Sequence, residues 1–339
     1  MDEQRFRERR RSRLRSEILD AGLGLRLEGS AGEVLLGEID YARFPPVHER
    51  EFSSYGAILL GGVPAVPDHV GAVVYQVGAG TAEDVARLMA DGRQSFVLRR
   101  RGRMELLVLP TAHDREDDIV RLRQQLGATR FKAVQRTAGG AVRVFGRSGL
   151  AVWDDSHWWE KPYATTYARA VLRVVPDASV PALDAILDFC VHSVSPSPGG
   201  ATLVWALDNE VISRLSTAPM ARLPVLSLQD RITHGPARHL LAQIDGAALL
   251  TPAAELVDVR VHLPASAHAH ASVGVDPEHG TRHASARRFS FDEERAAVFV
   301  VSEDGPVTVY FRGTAVAWIR SRLEQETPEQ AARSTAAGS

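Results

Sequence analysis

Four short, mostly apolar runs in the C-terminal half constrain the fold more than any other feature of this chain. Each has the length of a β-strand, and helix-length segments or turns rich in Gly and Pro separate them. The runs cover residues 201–206, 245–250, 296–302 and 307–311. Apolar runs of this kind are typical of buried strands, so the pattern predicts an α/β fold whose central sheet is covered by helices.

The N-terminal half shows strands and helices that alternate, which predicts a second, smaller α/β domain. A chain of 339 residues fits two domains. We predict a basic helix with a connector over residues 1–50, the smaller domain over 51–164, the larger one over 165–323 and a disordered tail over 324–339. In the smaller domain we predict a buried strand at 69–77, helices at 81–89 and 115–125, and strands at 96–99, 104–109, 141–145 and 150–153. Residues 154–164 show no regular period, and residues 314–323 are interpreted as a closing helix.

Net charge, cysteine content and the length of the apolar runs narrow the class of protein. The formal net charge of −2 does not demand nucleic acid or an anionic membrane as a partner. A single cysteine, Cys190, rules out an intramolecular disulfide and a thiolate zinc site. No apolar run approaches the ~18 residues that span a bilayer, and the N-terminus lacks a secretory h-region. We therefore expect a cytoplasmic protein without a membrane anchor.

The first 20 residues are rich in arginine and predict a basic helix. One interpretation is an arm that binds nucleic acid or an acidic partner. The other, which we favour, is a solvated terminal helix that is partly frayed, so nucleic acid is not the expected partner.

Two motifs in the C-terminal half carry chemistry. Asp245-Gly246-Ala247 places a carboxylate beside a glycine at the start of a strand, which suits a metal ion and a close approach of the backbone. Gly280-Thr281-Arg282-His283 places a glycine, a hydroxyl, a guanidinium and an imidazole in succession, which suits an anion such as a polyphosphate.

In this order, and with two further segments, the motifs resemble the diadenylate cyclase (DAC) family. The further segments are Gly199-Gly200 ahead of the run 201–206 and Val301-Ser302-Glu303 at the end of a later one. The resemblance covers about residues 167–320 and implies a mixed central sheet flanked by helices. It also implies condensation of two ATP into the second messenger cyclic di-AMP, with Mg²⁺ or Mn²⁺ as cofactor. Two catalytic domains would face each other in a homo-oligomer, and the N-terminal domain would be a sensor that regulates them.

The resemblance also implies roles for particular residues. Asp245 and Glu303 would be catalytic, and Asp245 would hold the metal ion. The residues implied in nucleotide binding are Gly246, Ala247, Gly280, Thr281, Arg282, His283, Arg287 and Arg288.

One position departs from the family pattern, because Ala284 stands where the family has a second arginine. Loss of one charge-assisted contact to a phosphate costs about 1.5–3 kcal/mol. If the segment is helical, Arg287 and Arg288 share a face with position 284 and compensate for the loss. The alternative is a degenerate DAC-type module that binds a nucleotide as a sensor and does not turn it over.

Other motifs are given structural interpretations. The glycine-rich segment 77–81 is interpreted as an ordinary turn between a strand and a helix, because Glu83 occupies the third glycine position of a dinucleotide fingerprint. His268 and His270 are interpreted as parts of a solvated loop. Trp153, Trp158 and Trp159 are interpreted as packing aromatics.

Overall fold

The structure is a computed structural model that divides into two compact units, residues 1–162 and residues 163–339. It describes residues 2–45, 54–61, 65–100, 102–113, 115–127, 130–147, 149–154, 156–175, 178–197, 199–216, 224–274, 280–303 and 307–319. Each unit has its own hydrophobic core. The boundary therefore falls two residues before the one that the sequence suggested. The tail predicted to be disordered, residues 324–339, lies outside the described residues.

The first unit is built on an eight-stranded sheet. Its helices are α1 (Asp2–Asp20), α2 (Gly29–Arg43), α3 (Thr81–Met89) and α4 (Glu116–Gln125). Its strands are β1 (Tyr55–Gly61), β2 (Val73–Gln76), β3 (Ser95–Arg100), β4 (Arg103–Val108), β5 (Arg130–Arg136), β6 (Val142–Phe145), β7 (Gly149–Trp153) and β8 (Trp158–Pro162). The strand order is β2-β4-β3-β1-β5-β6-β7-β8, and the β1–β3 pair is parallel.

The N-terminal helix belongs to the core of the first unit, which corrects our interpretation of it as a solvated, partly frayed segment. Leu14 and Ile18 are buried, four residues apart on one face of α1, and pack in the same cluster as residues of α2. Arg10 donates to both carboxylate oxygens of Asp40 on α2, at 2.6 Å each. The arginines that suggested a binding arm thus include one that ties α1 to α2.

Two predictions for this unit were wrong, and both concern the edges of the sheet. The segment predicted as a buried strand at 69–77 begins with a short 3₁₀ helix (Asp68–Val70) and continues as β2, an edge strand whose side chains are mostly exposed. The segment 154–164, which showed no period, contains β8 at the opposite edge. An edge strand has one neighbour and mixed burial, so its sequence pattern is weak. Helix α3 has the predicted bounds.

The second unit is built on a seven-stranded mixed sheet. Its helices are α5 (Ala164–Leu172), α6 (Val180–Asp188), which continues into a π-helix (Phe189–Val194), α7 (Asn209–Leu215), α8 (His234–Leu241), α9 (Ala267–Ser272) and α10 (Thr281–Asp292), and a 3₁₀ turn spans Arg231–Thr233. Its strands are β9 (Ala201–Ala206), β10 (Leu226–Ser227), β11 (Ala247–Leu250), β12 (Glu255–Val261), β13 (Ala296–Val301), β14 (Val307–Phe311) and β15 (Thr314–Ile319). The order is β10-β12-β11-β9-β13-β14-β15, with β9 parallel to β11 and antiparallel to β13. The predicted mixed sheet flanked by helices is confirmed.

The central strands are mostly apolar because helices cover both faces of the sheet. On β9, Leu203 and Trp205 pack in a cluster with residues of α5, α6 and α8. Val204, which points to the other face, packs with Ala286 and Phe289 of α10. Side chains alternate between the faces of a strand, so two covered faces favour apolar residues at most positions.

The closing helix predicted at 314–323 is instead the strand β15. A two-residue turn, Arg312-Gly313, joins β14 to β15, and both residues have positive φ, 48° and 73°. That conformation is typical of a tight hairpin turn, which directs the chain back into the sheet. The loop predicted around His268 and His270 contains the short helix α9. Among the described residues, no helix combines the length and apolar character needed to cross a membrane.

Candidate functional site

The segments singled out in the sequence meet at the end of the second sheet where the central strands β9 and β11 begin and β13 ends. We call this end the sheet edge. Ala247 at the start of β11 pairs with Thr202 of β9, and Val301 at the end of β13 pairs with Ala201. When these registers are continued, residue 245 precedes β11 and residue 302 follows β13 on either side of Gly200. The ends of three neighbouring central strands therefore present Asp245, the Gly199-Gly200 pair and Ser302-Glu303 together.

The Asp245-Gly246-Ala247 segment enters the sheet through a backbone conformation that favours glycine. Gly246 has φ +92°, and a Cβ there would lie 3.0 Å from backbone atoms of Arg260 on β12. The glycine leaves Asp245 exposed just before the strand. Ala247 is buried, and its side chain packs in the core beneath the edge.

Gly200 makes room for an arginine. A Cβ at Gly200 would collide with the guanidinium of Arg282 and would lie 2.6 Å from the carbonyl oxygen of Val301. Arg282 Nη1 donates to Glu303 Oε1 at 3.2 Å, and the two side chains are 41% and 73% exposed. The Arg282 guanidinium is thus held at the sheet edge by an ion pair in which both side chains are exposed to solvent.

The N-terminus of α10 adds a favourable field for an anion. Gly280 is the N-cap residue, Thr281 opens the helix, and both are exposed. The first turn of α10 contains no acidic residue. A helix of this length presents backbone N–H groups and a partial positive charge at its N-terminus, which favours anions such as phosphate.

His283 lies one residue inward and is buried, with 7% of its surface exposed. Its Nδ1 lies 2.9 Å from the hydroxyl of Tyr310 on β14, and its Nε2 lies 2.8 Å from the hydroxyl of Ser302. The ring therefore packs between the helix and the sheet rather than on the exposed edge.

The two arginines expected to replace the missing one have different environments. Arg287 Nε donates to the carbonyl oxygen of Gly313 at 2.9 Å, and Nη1 donates to that of Gly274 at 3.4 Å. Arg287 is thus engaged with the carbonyl oxygens of Gly274 and of Gly313 in the β14–β15 turn. Arg288 lies four residues after Ala284 on the same helix, and among the described residues no acceptor pairs with its Nε.

Reasoning from the sequence assigned no role to three residues of the edge, Gly200, Ser302 and Tyr310. Gly200 and Ser302 lie within segments that were noticed, but their contacts join residues far apart in the chain. Tyr310 lies in the apolar run that forms β14, and none of its neighbours in the sequence indicates that it pairs with a histidine.

The first unit contains a different kind of charged cluster, which is buried. Glu38 on α2 is 1% exposed and accepts hydrogen bonds from the Tyr55 hydroxyl and from Arg99 Nε, the latter at 2.8 Å. Arg87 Nη2 on α3 lies 3.3 Å from the same carboxylate. Burial opposes ionisation, but the Arg87 and Arg99 charges outweigh it, and the pKa of Glu38 lies below its usual value. Burial and the Glu38 charge raise the pKa of Tyr55 well above its usual value.

Fold and site together define a two-domain protein whose second domain is a mixed α/β module, with Asp245, Arg282, Glu303 and the N-terminus of α10 at one sheet edge. Comparison with family models agrees with both parts. Residues 190–315 match the DAC family, described as the DisA bacterial checkpoint controller nucleotide-binding domain, and residues 12–162 match the probable sensor domain DACNK. The chain therefore carries a DAC nucleotide-binding domain, as the sequence motifs indicated, preceded by a region that matches a probable sensor domain. No curated protein matches the chain.

Proposed function

We propose that the second unit is a diadenylate cyclase, a nucleotidyltransferase that condenses two ATP into cyclic di-AMP and two diphosphates. The observation that carries the proposal is the convergence of Asp245, the Gly200–Arg282 contact and Glu303 at one sheet edge beside the N-terminus of α10. These are the groups that a nucleotidyl transfer needs, namely a carboxylate, a cation and N–H donors for phosphate.

The reaction forms one P–O bond and breaks another at each α-phosphorus. The 3′-hydroxyl of one ATP attacks the α-phosphorus of the second, the bond to the β-phosphate oxygen breaks, and diphosphate leaves. The hydroxyl proton passes to a carboxylate, Asp245 or Glu303. Arg282 neutralises charge on the phosphates once it has exchanged its ion pair with Glu303 for the nucleotide.

The donor set fits a divalent cation that arrives with the nucleotide. Asp245 offers hard, exposed oxygen atoms, and no group of three or more metal-ligating side chains occurs within the described ranges. Mg²⁺ is commonly held by one or two carboxylates together with substrate phosphates. Bound by Asp245, Mg²⁺ or Mn²⁺ would neutralise phosphate charge and lower the pKa of the attacking hydroxyl.

Two nucleotides held by opposed sites imply that the active form contains at least two copies of the chain, with the catalytic domains facing each other. The DACNK unit would regulate them.

The test is to incubate the full chain with ATP and Mn²⁺ or Mg²⁺ and to quantify cyclic di-AMP by chromatography. Asp245→Asn should lower turnover by about 100-fold or more, since a transition-state charge contact is lost. The melting temperature should be unchanged because Asp245 is exposed. A wild-type chain that forms no more product than Asp245→Asn would contradict the proposal.

A second function is favoured by one observation. Ala284 lacks the family's guanidinium, and Arg287 is engaged elsewhere. This supports a module that binds a nucleotide without turnover, with Arg288 as the remaining candidate to contact phosphate. Calorimetry that finds tight ATP binding without product would support this function. Under it, Ala284→Arg should raise turnover sharply from near zero, whereas in a working cyclase the same change would alter the rate by less than about tenfold.

A further inference from the structure

A short hydrogen-bonded chain runs from the interior of the second unit to its candidate site. The Tyr310 hydroxyl lies 2.9 Å from His283 Nδ1, and Nε2 of the same ring lies 2.8 Å from the hydroxyl of Ser302. Tyr310 is 5% exposed, and its ring meets the His283 ring edge-on at 5.9 Å between centroids. Ser302 is half-buried and directly precedes Glu303.

Both nitrogens of the His283 ring are engaged in this chain. A neutral imidazole has one N–H donor and one acceptor nitrogen, so these two contacts use its whole hydrogen-bonding capacity. The ring is also buried between α10 and the sheet. A direct bond from His283 to a phosphate would require breaking one of these contacts.

The donor in each of these two hydrogen bonds follows from the acidity of the two hydroxyls. A phenol is a stronger acid than an aliphatic alcohol, and it is therefore the better donor to an acceptor nitrogen. Tyr310 then donates to Nδ1, and Nε2–H donates to Ser302 Oγ. In this arrangement the hydroxyl hydrogen of Ser302 is not used by His283 and points away from it.

We infer that His283 is a positioning residue that connects Tyr310 to Ser302 and orients the Ser302 hydroxyl as a donor to the bound nucleotide. The inference rests on the proposed nucleotide site, not on turnover. It adds Ser302 to the contacts at the sheet edge and assigns Tyr310 a role two steps away from the ligand. It also replaces the expectation that His283 binds phosphate directly.

The first test needs no nucleotide. Nitrogen chemical shifts of His283, assigned by their disappearance in His283→Gln, should show a neutral ring protonated at Nε2 near neutral pH. Tyr310→Phe should change the Nδ1 shift most. A ring protonated at Nδ1, or at both nitrogens, would overturn the inferred direction of the chain.

The second test is a double-mutant cycle on ATP binding, measured by calorimetry with the full chain. Tyr310→Phe and Ser302→Ala should each weaken binding roughly five- to tenfold, the size of one hydrogen bond. The double variant should bind no more weakly than Ser302→Ala alone, because both changes act through one hydroxyl. Losses that multiply would overturn the inference.

A matched pair at position 283 separates positioning from ligand contact. The amide of Gln mimics Nε2 and that of Asn mimics Nδ1, so His283→Gln should retain more ATP affinity than His283→Asn. Equal losses in both variants, with Tyr310→Phe neutral, would identify His283 as a direct phosphate ligand. A chain that binds ATP with these effects and forms no cyclic di-AMP would contradict the cyclase proposal while leaving this inference intact.

Discussion

The two units use the same charged residue types for opposite purposes. In the first unit, Glu38 is 1% exposed, and its partners come from β1, α3 and β3. At the edge of the second unit, Arg282 and Glu303 are 41% and 73% exposed and meet in a single contact of 3.2 Å. The buried carboxylate has no capacity left for a ligand, whereas the exposed pair can exchange one partner for another.

The difference is one of solvation. A buried ion pair is costly to break, because removing one partner leaves a desolvated charge. An exposed pair is screened by water and stabilises a protein by about 0–1 kcal/mol. The Glu38 cluster is therefore suited to joining α2, α3 and the sheet, and the Arg282–Glu303 pair is suited to holding an arginine ready for an anion.

The largest expected effect comes from Glu38→Gln, which would test whether the buried cluster holds the first unit together. Loss of the carboxylate leaves Arg87 and Arg99 without their shared counter-charge, and the free energy of unfolding should fall by about 3–5 kcal/mol. Urea unfolding measures the change. The control is Glu83→Gln, on the half-exposed partner of Arg99, where we expect a change within about 0.5 kcal/mol.

The stability difference between wild type and Glu38→Gln should also depend on pH, in a direction that the lowered pKa of Glu38 fixes. The pKa of Glu38 is lowered by folding, so its contribution to stability is present above the usual glutamate pKa and is lost as the pH falls through the folded value. The gap between wild type and Glu38→Gln should therefore narrow in acid. A gap that widens as the pH falls would contradict the assignment.

The next effect concerns the exposed pair and uses two adjacent glycines. Gly200→Ala places a methyl group against Arg282 and Val301, and ATP affinity should fall by roughly 10- to 100-fold in calorimetry. Gly199→Ala is the matched control, since φ is +97° but no atom lies within 4 Å of the added Cβ. It should cost about 1 kcal/mol of stability and leave affinity unchanged. Equal affinities in the two variants would argue against a role for Arg282 in binding.

The smallest effect separates two neighbouring arginines of α10. Arg287→Ala removes two hydrogen bonds to backbone carbonyls, so it should lower the free energy of unfolding by about 1–2 kcal/mol without changing ATP affinity. Arg288→Ala should have the opposite profile, with affinity reduced roughly three- to tenfold and stability nearly unchanged. If both variants lose stability alone, Arg288 does not compensate for Ala284.

The elements that the sequence predicted best are those buried on both faces or tightly bounded by turns. Strands β9 and β14 have the predicted bounds because each is a continuous apolar run. The edge strands β8, β10 and β15 were missed, since pairing with a single neighbour leaves a weak local pattern. The central strands β1 and β5 were also missed. The turn at Arg312-Gly313 was a usable signal for β15.

The sequence predicted the individual segments of the site but not the contacts between their side chains. The carboxylate of Asp245, the glycine at 246 and the start of α10 follow from residues adjacent in the chain. The commitment of Arg287 to the β14–β15 turn and of His283 to Tyr310 and Ser302 does not.

By itself, the sequence determined the two-domain α/β organisation, the family and the chemical groups available at the edge, because these depend on short-range patterns and on residue type. Only the tertiary structure decided that Gly200 faces Arg282, that His283 is buried in a hydrogen-bonded chain and that Glu38 is enclosed by cations. The physical reason is strand register. Residues 17 to 82 positions apart become neighbours through pairing and packing across whole elements, and no local propensity encodes which of their atoms will meet.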